Sequence, residues 1–236
     1  MRCKFETALQ IYSFDRELRQ LVINELEKIE IAVRAKMIYI LSHQFGPYWY
    51  SNPDNFKVRH VHTETLSKIK MEYNRSDAQF VKAFKSKYTN DLPPSWTAFE
   101  IISFGSTSRL FSILKSGRSK REISDYFGLD DNTFSSWLHG FVYVRNVCAH
   151  HSRLWNRIMR IQPTRPMSPK HVWLNNTDVA NNRTYYILSM IIYLLRSIDE
   201  TNSMLGSFKN LFEKYPNIDP KAMGFPDNWE KEELWS

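Results

Sequence analysis

One short segment, residues 145–157, concentrates side chains that bind phosphate and transfer protons. It reads Arg145-Asn146-Val147-Cys148-Ala149-His150-His151-Ser152-Arg153-Leu154-Trp155-Asn156-Arg157. An arginine offers a two-pronged guanidinium to a phosphate, and an imidazole accepts or donates a proton near neutral pH. Cleavage of RNA by its own 2′-hydroxyl needs a base, an acid and a cation for the charge on phosphorus. The residue types therefore favour a ribonuclease that uses no metal.

Arg145 is unusual at its position, because helical spacing places it inside an otherwise apolar stripe. The stripe in residues 133–150 has the period of a core-facing helix and contains Phe134, Trp137, Leu138, Phe141, Val142, Cys148 and Ala149. A buried, unpaired guanidinium would cost several kcal/mol. Two explanations stay open. Either a carboxylate such as Glu100 pairs with Arg145, or this face is a cleft or subunit interface that receives an anion.

The spacing of the candidate catalytic residues adds a geometric constraint. Asn146 and His150 are four residues apart and share a helix face, whereas Arg145 and His150 lie about 140° apart around an ideal helix. Arg145 and His150 can serve one site if the helix is distorted or ends near Cys148, or if two chains each contribute a copy. Pairing across a two-fold axis also supplies both a base and an acid. We predict a composite dimeric site.

Other chemistries fit the segment less well. Adjacent helical residues do not face each other, so His150 and His151 make a poor metal pair, and no carboxylate or thiol ligand set surrounds them. Cys148 has workable spacing to His151 for a thiol nucleophile, but it continues the apolar stripe, where thiols are usually inert. We expect neither a metal centre nor a cofactor. His151, Arg153, Asn156 and Arg157 are candidates for RNA binding.

Composition restricts the class of protein. The 236 residues carry a formal net charge of +7, which favours anionic partners without proving them. Cys3 and Cys148 are far apart in sequence and form no disulfide framework, which fits a reducing, cytoplasmic setting. The most apolar run, residues 185–195, is shorter than the roughly 20 residues that span a bilayer. We expect a protein that is neither secreted nor embedded in a membrane.

The periodic pattern predicts an all-α fold in one domain, residues 1–236. Ser13 can cap a long amphipathic helix that ends near Gly46-Pro47. In this helix, Asp15 with Arg19 and Glu30 with Arg34 form ion pairs on the polar side. Helical patterns then follow through the rest of the chain.

Breaks between the later helices are expected at Pro93-Pro94 and at Gly105-Ser106. Ser119 has capping-box spacing to Glu122, and Gly128 is well placed to end that helix. The basic run Lys115, Arg118, Lys120 and Arg121 could follow an RNA backbone, although a solvated loop is commoner. The helix of Arg145 begins after Asp130-Asp131. An irregular excursion at 162–179 precedes helices at about 183–200 and around 205–212.

The spacing of Arg145, Asn146 and His150 resembles the R-x4-6-H motif of the HEPN superfamily. The longer run to Arg157 resembles the Abi-like, or abortive-infection, family within it. Further segments resemble that family: 12–19 (YSFDRELR), 30–34 (EIAVR), 45–47 (FGP), 103–105 (SFG) and 223–226 (MGFP). Family members usually have additional helical sequence before the 12–19 segment.

The resemblance implies an all-α bundle of the HEPN type, with a core at about 95–215 and an additional N-terminal helical part at about 12–90. It implies a homodimer that acts as a metal-independent endoribonuclease in phage defence or as a toxin, with Arg145, Asn146 and His150 catalytic. The RNA target would be a single-stranded loop, and an antitoxin or a phage trigger would be further partners. The competing hypothesis is a non-catalytic helical module that binds or senses RNA or a nucleotide; a purely structural dimer is the third.

Overall fold

A computed structural model describes residues 2–199 and 201–236, with side chains from Phe5 onward. Two residues used in the sequence analysis lie outside the described side chains: Cys3, which entered the disulfide argument, and Glu200, the expected end of a helix. The α-helices are α1 (Arg2–Phe45), α2 (Arg59–Arg75), α3 (Gln79–Lys87), α4 (Ser95–Ile101), α5 (Phe104–Ile113), α6 (Arg118–Tyr126), α7 (Asp131–Ala149), α8 (Thr184–Ile198) and α9 (Met204–Lys214). The described residues form no strand, only an isolated bridge between Phe56 and Leu114. The all-α prediction is confirmed.

The first helix begins earlier than the sequence analysis expected. α1 starts at Arg2, so Ser13 lies inside it and the predicted cap is wrong. Residues 2–45 contain neither Gly nor Pro, and nothing in this stretch stops the helix before Gly46, whose φ of +81° ends it.

Two other helices also begin at residues different from those predicted. α5 begins at Phe104, with Ser103 as its N-cap accepting from the N–H of Ser106 at 3.3 Å, so the break precedes Gly105. α6 begins at Arg118, which places Ser119 inside the helix and makes the capping-box prediction wrong. Gly128 does take the left-handed conformation after α6, with φ of +71°.

The chain divides into two compact units. The terminal unit consists of Met1–Ile29 and Phe127–Ser236, and the middle unit is Glu30–Tyr126. The division falls within α1. The single-domain organisation with parts at 12–90 and 95–215 stays a prediction.

In the terminal unit, α8 forms the centre of the core, because every residue from Thr184 to Leu195 is buried. Trp137 of α7 packs edge-on against Tyr193, with ring centroids 5.5 Å apart. The irregular excursion at 162–179 is confirmed, and its Trp173 lies 4.9 Å from the ring of Trp137. These contacts hold α7 against the core and thereby fix the position of its C-terminal end.

In the middle unit, the predicted basic run is not one solvated loop, because Arg118, Lys120 and Arg121 lie in α6. Lys115, Arg118 and Arg121 are exposed. Lys120 is buried, and its Nζ donates to the carbonyls of Ser112 and Leu114 at 3.2 Å each. Its ammonium also lies 5.0 Å from the ring centre of Phe111. Lys120 therefore ties α6 to the C-terminal end of α5, where free carbonyls attract a cation.

Candidate functional site

Helix α7 ends in a backbone motif that reverses the chain beside the candidate catalytic residues. The N–H of His151 donates to the carbonyl of Cys148, and the N–H of Ser152 donates to that of Val147, both at 3.0 Å. These two bonds are the pattern of a Schellman motif, in which the left-handed position is usually glycine. Here it is His151, with φ of +54°. A side chain in this conformation costs about 1 kcal/mol or more.

Arg145 is exposed, so of the two explanations left open by the sequence, a buried arginine that is paired with a carboxylate does not hold. In the last turns of α7 the buried side chains are instead Val144, Val147 and Cys148. Helical spacing identifies the shared face but does not show where the covering elements end. Since Arg145 faces water, it needs no buried carboxylate such as Glu100, which is itself exposed.

Asn146 and His150 are exposed as well. Asn146 lies in the last turn of α7, and His150 follows directly after the helix. The Oδ1 of Asn146 lies 3.5 Å from Nη1 of Arg145, a long contact that leaves the guanidinium available to another group. His150 is the C-cap of α7, and its N–H donates to the carbonyl of Asn146 at 3.0 Å. The sequence left open a distorted helix, a helix that ends near Cys148, or a site shared by two chains. The structure has a helix that ends at Ala149, one residue after Cys148.

A buried carboxylate fastens the segment after α7 to α1. The Oδ1 of Asp15 accepts the N–H groups of Leu154 and Trp155, both at 2.8 Å, while its Oδ2 pairs with Nη1 of Arg19. The predicted Asp15–Arg19 pair is thus present, but it is buried and not on a polar side of α1. Thr184 completes the attachment, since its hydroxyl donates to the carbonyl of Leu154 at 2.9 Å. Asp15 thereby positions the segment that carries His150 and His151.

The candidate RNA-binding residues fall into two groups. Arg153 and His151 are exposed. Asn156 accepts a hydrogen bond from Nη2 of Arg183 at 3.0 Å, and Arg157 donates through Nε to the hydroxyl of Tyr143 at 3.2 Å. Asn156 and Arg157 therefore have structural partners inside the terminal unit, whereas His151 and Arg153 are exposed to solvent.

An open cleft of about 490 Å³ lies between α1 and the end of α7. Its α1 wall is one helical stripe, and the opposite wall comes from the last turn of α7 and the residue that follows the C-cap. The lining residues are Tyr12, Arg16, Arg19, Gln20, Ile23, Cys148, Ala149 and His151. Among the described residues that line it, none is acidic.

Burial of Cys148 in the floor of this cleft determines its protonation. Desolvation raises the pKa of the Cys148 thiol to about 12, so it stays protonated near neutral pH. A protonated thiol is a poor nucleophile, in agreement with the expectation that Cys148 is inert. Among the described side chains, those of residues 5–199 and 201–236, no group of three or more His, Cys, Asp or Glu residues is placed to hold a metal ion.

Comparison with known families gives one match. A family model described as Abi-like protein matches residues 1–156, about two thirds of the 236-residue chain. The chain belongs to the Abi-like family. The family name points to abortive infection, a form of phage defence. Comparisons with curated proteins and with solved structures give no match.

The matched part of this Abi-like chain contains the cleft and most of the 145–157 segment. It extends from α1 through Asn156 and ends before Arg157. The 223–226 segment, which contributed to the resemblance, lies beyond it. No helix in the described part of the Abi-like chain has the length and apolar character that a membrane crossing requires.

Sequence reasoning missed the roles of Asp15, Tyr12, Arg16 and Gln20 in this Abi-like protein. Asp15 entered as the ion-pair partner of Arg19, Tyr12 and Arg16 entered only as parts of the resembling segment 12–19, and Gln20 did not enter at all. One signal was available for Asp15, because it lies beside Phe14 and Leu18 on the buried face of α1. For the other three no signal existed, since their opposing wall is more than a hundred residues away in sequence.

Proposed function

We propose that this Abi-like protein is a metal-independent endoribonuclease of the abortive-infection or toxin type. The observation that supports it most is the exposure of Arg145, Asn146 and His150 at the end of α7. An exposed arginine and histidine at a helix end are accessible to a phosphodiester, as buried residues would not be. Membership in the Abi-like family supports the biological setting.

In the proposed reaction, the 2′-oxygen of a ribose attacks the adjacent phosphorus as a base removes its proton. The bond from phosphorus to the 5′-oxygen breaks, and an acid protonates that leaving oxygen. Arg145 stabilises the charge that develops on the phosphorus oxygens, His150 transfers the protons, and Asn146 orients the phosphate or the imidazole. The products are a 2′,3′-cyclic phosphate and a 5′-hydroxyl.

The substrate that suits this chemistry is a single-stranded loop of RNA. In-line attack needs a ribose and phosphate that can rotate freely, and a duplex restrains both. A base and an acid are both required, and a homodimer with a composite site supplies two copies of His150. A phage component or an antitoxin would then control when the site is used.

The test is incubation of the purified protein with total cellular RNA in excess chelator, followed by mapping of the fragment ends. Wild type should leave 2′,3′-cyclic phosphate ends. The His150→Ala variant should be slower by roughly 100-fold or more while still binding RNA. His139→Ala is the matched control, because His139 is an exposed histidine on the same helix. Activity that chelator alone abolishes would overturn the proposed mechanism.

Mixing two inactive variants tests the composite site. If Arg145 of one chain works with His150 of its partner, a mixture of Arg145→Ala and His150→Ala dimers should recover about a quarter of wild-type activity after subunit exchange. Half of the randomly mixed dimers are then heterodimers, each with one intact site. No recovery in a mixture shown to exchange subunits would exclude a site built from one Arg145 and one His150 of different chains; the site then needs both residues of one chain, or both copies of His150.

A further inference from the structure

The cleft between α1 and the end of α7 has features of a ligand site that the catalytic assignment does not use. Tyr12, Arg16, Gln20 and Ile23 recur at helical spacing on one face of α1 and line it together. Its volume of about 490 Å³ lies in the range of roughly 300–1,000 Å³ that is typical of small-ligand sites. Arg145 and His150 are not among its lining residues, so it is distinct from the proposed catalytic groups.

The charge of the cleft favours an anion. Arg19 is neutralised by Asp15, whereas Arg16 is exposed and has no ion pair within the described part of the chain. His151 contributes an imidazole from the opposite wall. The Schellman hydrogen bonds satisfy the carbonyls of Val147 and Cys148, which reduces the repulsion that a helix C-terminus exerts on an anion.

The remaining lining residues suit a flat, partly apolar group attached to that anion. The side chain of Tyr12 is 62% exposed, so its ring is free to contact a ligand. Ile23 and Ala149 add apolar surface, and the amide of Gln20 can donate and accept hydrogen bonds. An aromatic ring, an amide and a cation are the groups by which proteins hold an unstacked base and its phosphate.

His151 gives an independent sign that the cleft wall is specialised. The left-handed position of a Schellman motif favours glycine, yet this chain places a histidine there at an energetic cost. In this conformation His151 lines the cleft. Backbone strain in a non-glycine residue persists where the surrounding structure demands it, and it occurs often at binding sites.

We infer that this cleft binds one nucleotide of a single-stranded RNA substrate, with the phosphate against Arg16 and His151 and the base against Tyr12. The inference rests on the proposed function in taking RNA as the ligand. The bound nucleotide would flank the one that is cleaved, because the cleft and His150 adjoin through the same chain reversal at the end of α7. Arg16 and Tyr12 thus contribute to substrate affinity and not to proton transfer.

The test measures binding separately from cleavage. Fluorescence anisotropy of a short, end-labelled single-stranded RNA is recorded in excess chelator with the His150→Ala protein. In this His150→Ala background, a second substitution, either Arg16→Gln or Tyr12→Ala, should weaken RNA binding roughly 5-fold or more. Tyr12→Phe retains the ring and should bind RNA normally. Arg109→Gln is the matched control, because Arg109 is an exposed arginine on helix α5, outside the cleft.

Each outcome decides between the two proposals. If the protein cleaves and binds RNA but Arg16→Gln and Tyr12→Ala bind no more weakly than Arg109→Gln, the cleft proposal is overturned and the ribonuclease stands. If RNA binding depends on Arg16 and Tyr12 but no cleavage occurs, the cleft proposal stands and the ribonuclease fails. Absence of any RNA binding by a folded protein overturns the cleft proposal. Circular dichroism and thermal unfolding of each variant confirm that it is folded.

Discussion

At Gly128 the backbone is left-handed, and the space around its Cα is already filled. A Cβ there would lie 2.5 Å from Cδ2 of His171 and 2.7 Å from the hydroxyl oxygen of Tyr193. That hydroxyl donates to the carbonyl of Gly128 at 2.8 Å, so the ring cannot move without losing a buried hydrogen bond. Both the backbone conformation and the packing therefore require glycine.

We predict that Gly128→Ala lowers the free energy of unfolding by about 1–3 kcal/mol. Chemical denaturation at neutral pH provides the measurement. Gly206→Ala is the control, because Gly206 lies within α9 with nothing within 4 Å of its added Cβ. That substitution should leave stability unchanged or raise it by up to about 1 kcal/mol. Equal effects of the two changes would contradict the conformational argument.

At the scale of the element, the segment after α7 depends on α1 for its position. Residues 150–157 form no regular structure beyond the helix cap, and their N–H groups at Leu154 and Trp155 are satisfied by the carboxylate of Asp15. A buried carboxylate that accepts two backbone N–H groups and pairs with a guanidinium stabilises the arrangement only while all partners remain. The loop carrying the candidate site is thus held by a residue on another helix.

We predict that Asp15→Asn destabilises the protein by about 2–4 kcal/mol, because the amide leaves the buried Arg19 without a counter-charge and accepts the two N–H groups more weakly than a carboxylate does. Urea denaturation should show the loss, and hydrogen exchange at Leu154 and Trp155 should accelerate. Asp54→Asn is the control, since the Asp54–Arg59 pair is mostly exposed and should contribute less than about 1 kcal/mol. Unchanged stability together with unchanged exchange at both amides would show that the charge of Asp15 does not hold the segment.

At the scale of the whole molecule, buried groups with raised pKa values are spread through both units. Burial raises the pKa of Cys148 to about 12 and also raises the pKa values of Tyr50, Tyr185 and Tyr186. Each group is neutral when protonated, and folding disfavours its charged form. Their contribution to stability is complete below the unfolded-state pKa values, about 9 for the thiol and about 10 for the phenols.

We therefore predict that stability falls as the pH rises above about 9, because the unfolded chain releases these protons more readily than the folded one. Urea denaturation between about pH 8 and pH 11 measures the decline. In the Cys148→Ala variant the loss between about pH 8 and pH 10 should be smaller, since the thiol titrates first. Stability that stays constant or increases over this range would show that these groups titrate alike in both states.

The sequence by itself determined most of the elements and the family. Periodicity identified most of the helices. The start of α7 was expected just after Asp130-Asp131, and Asp130 caps it through its carboxylate; an end near Cys148 was one of the arrangements left open. These features depend on neighbours a few residues apart, and local spacing contains that information. The family was also identified from short segments in order, which the match over residues 1–156 confirms.

Only the tertiary structure decided which of those residues face water and which meet. Arg145 shares a helix face with apolar residues but is exposed. Asp15 accepts a hydrogen bond from Leu154 across 139 positions of sequence, and Tyr12 and His151 line one cleft. Helical periodicity specifies a direction around one axis, whereas exposure and contact depend on how separate elements pack.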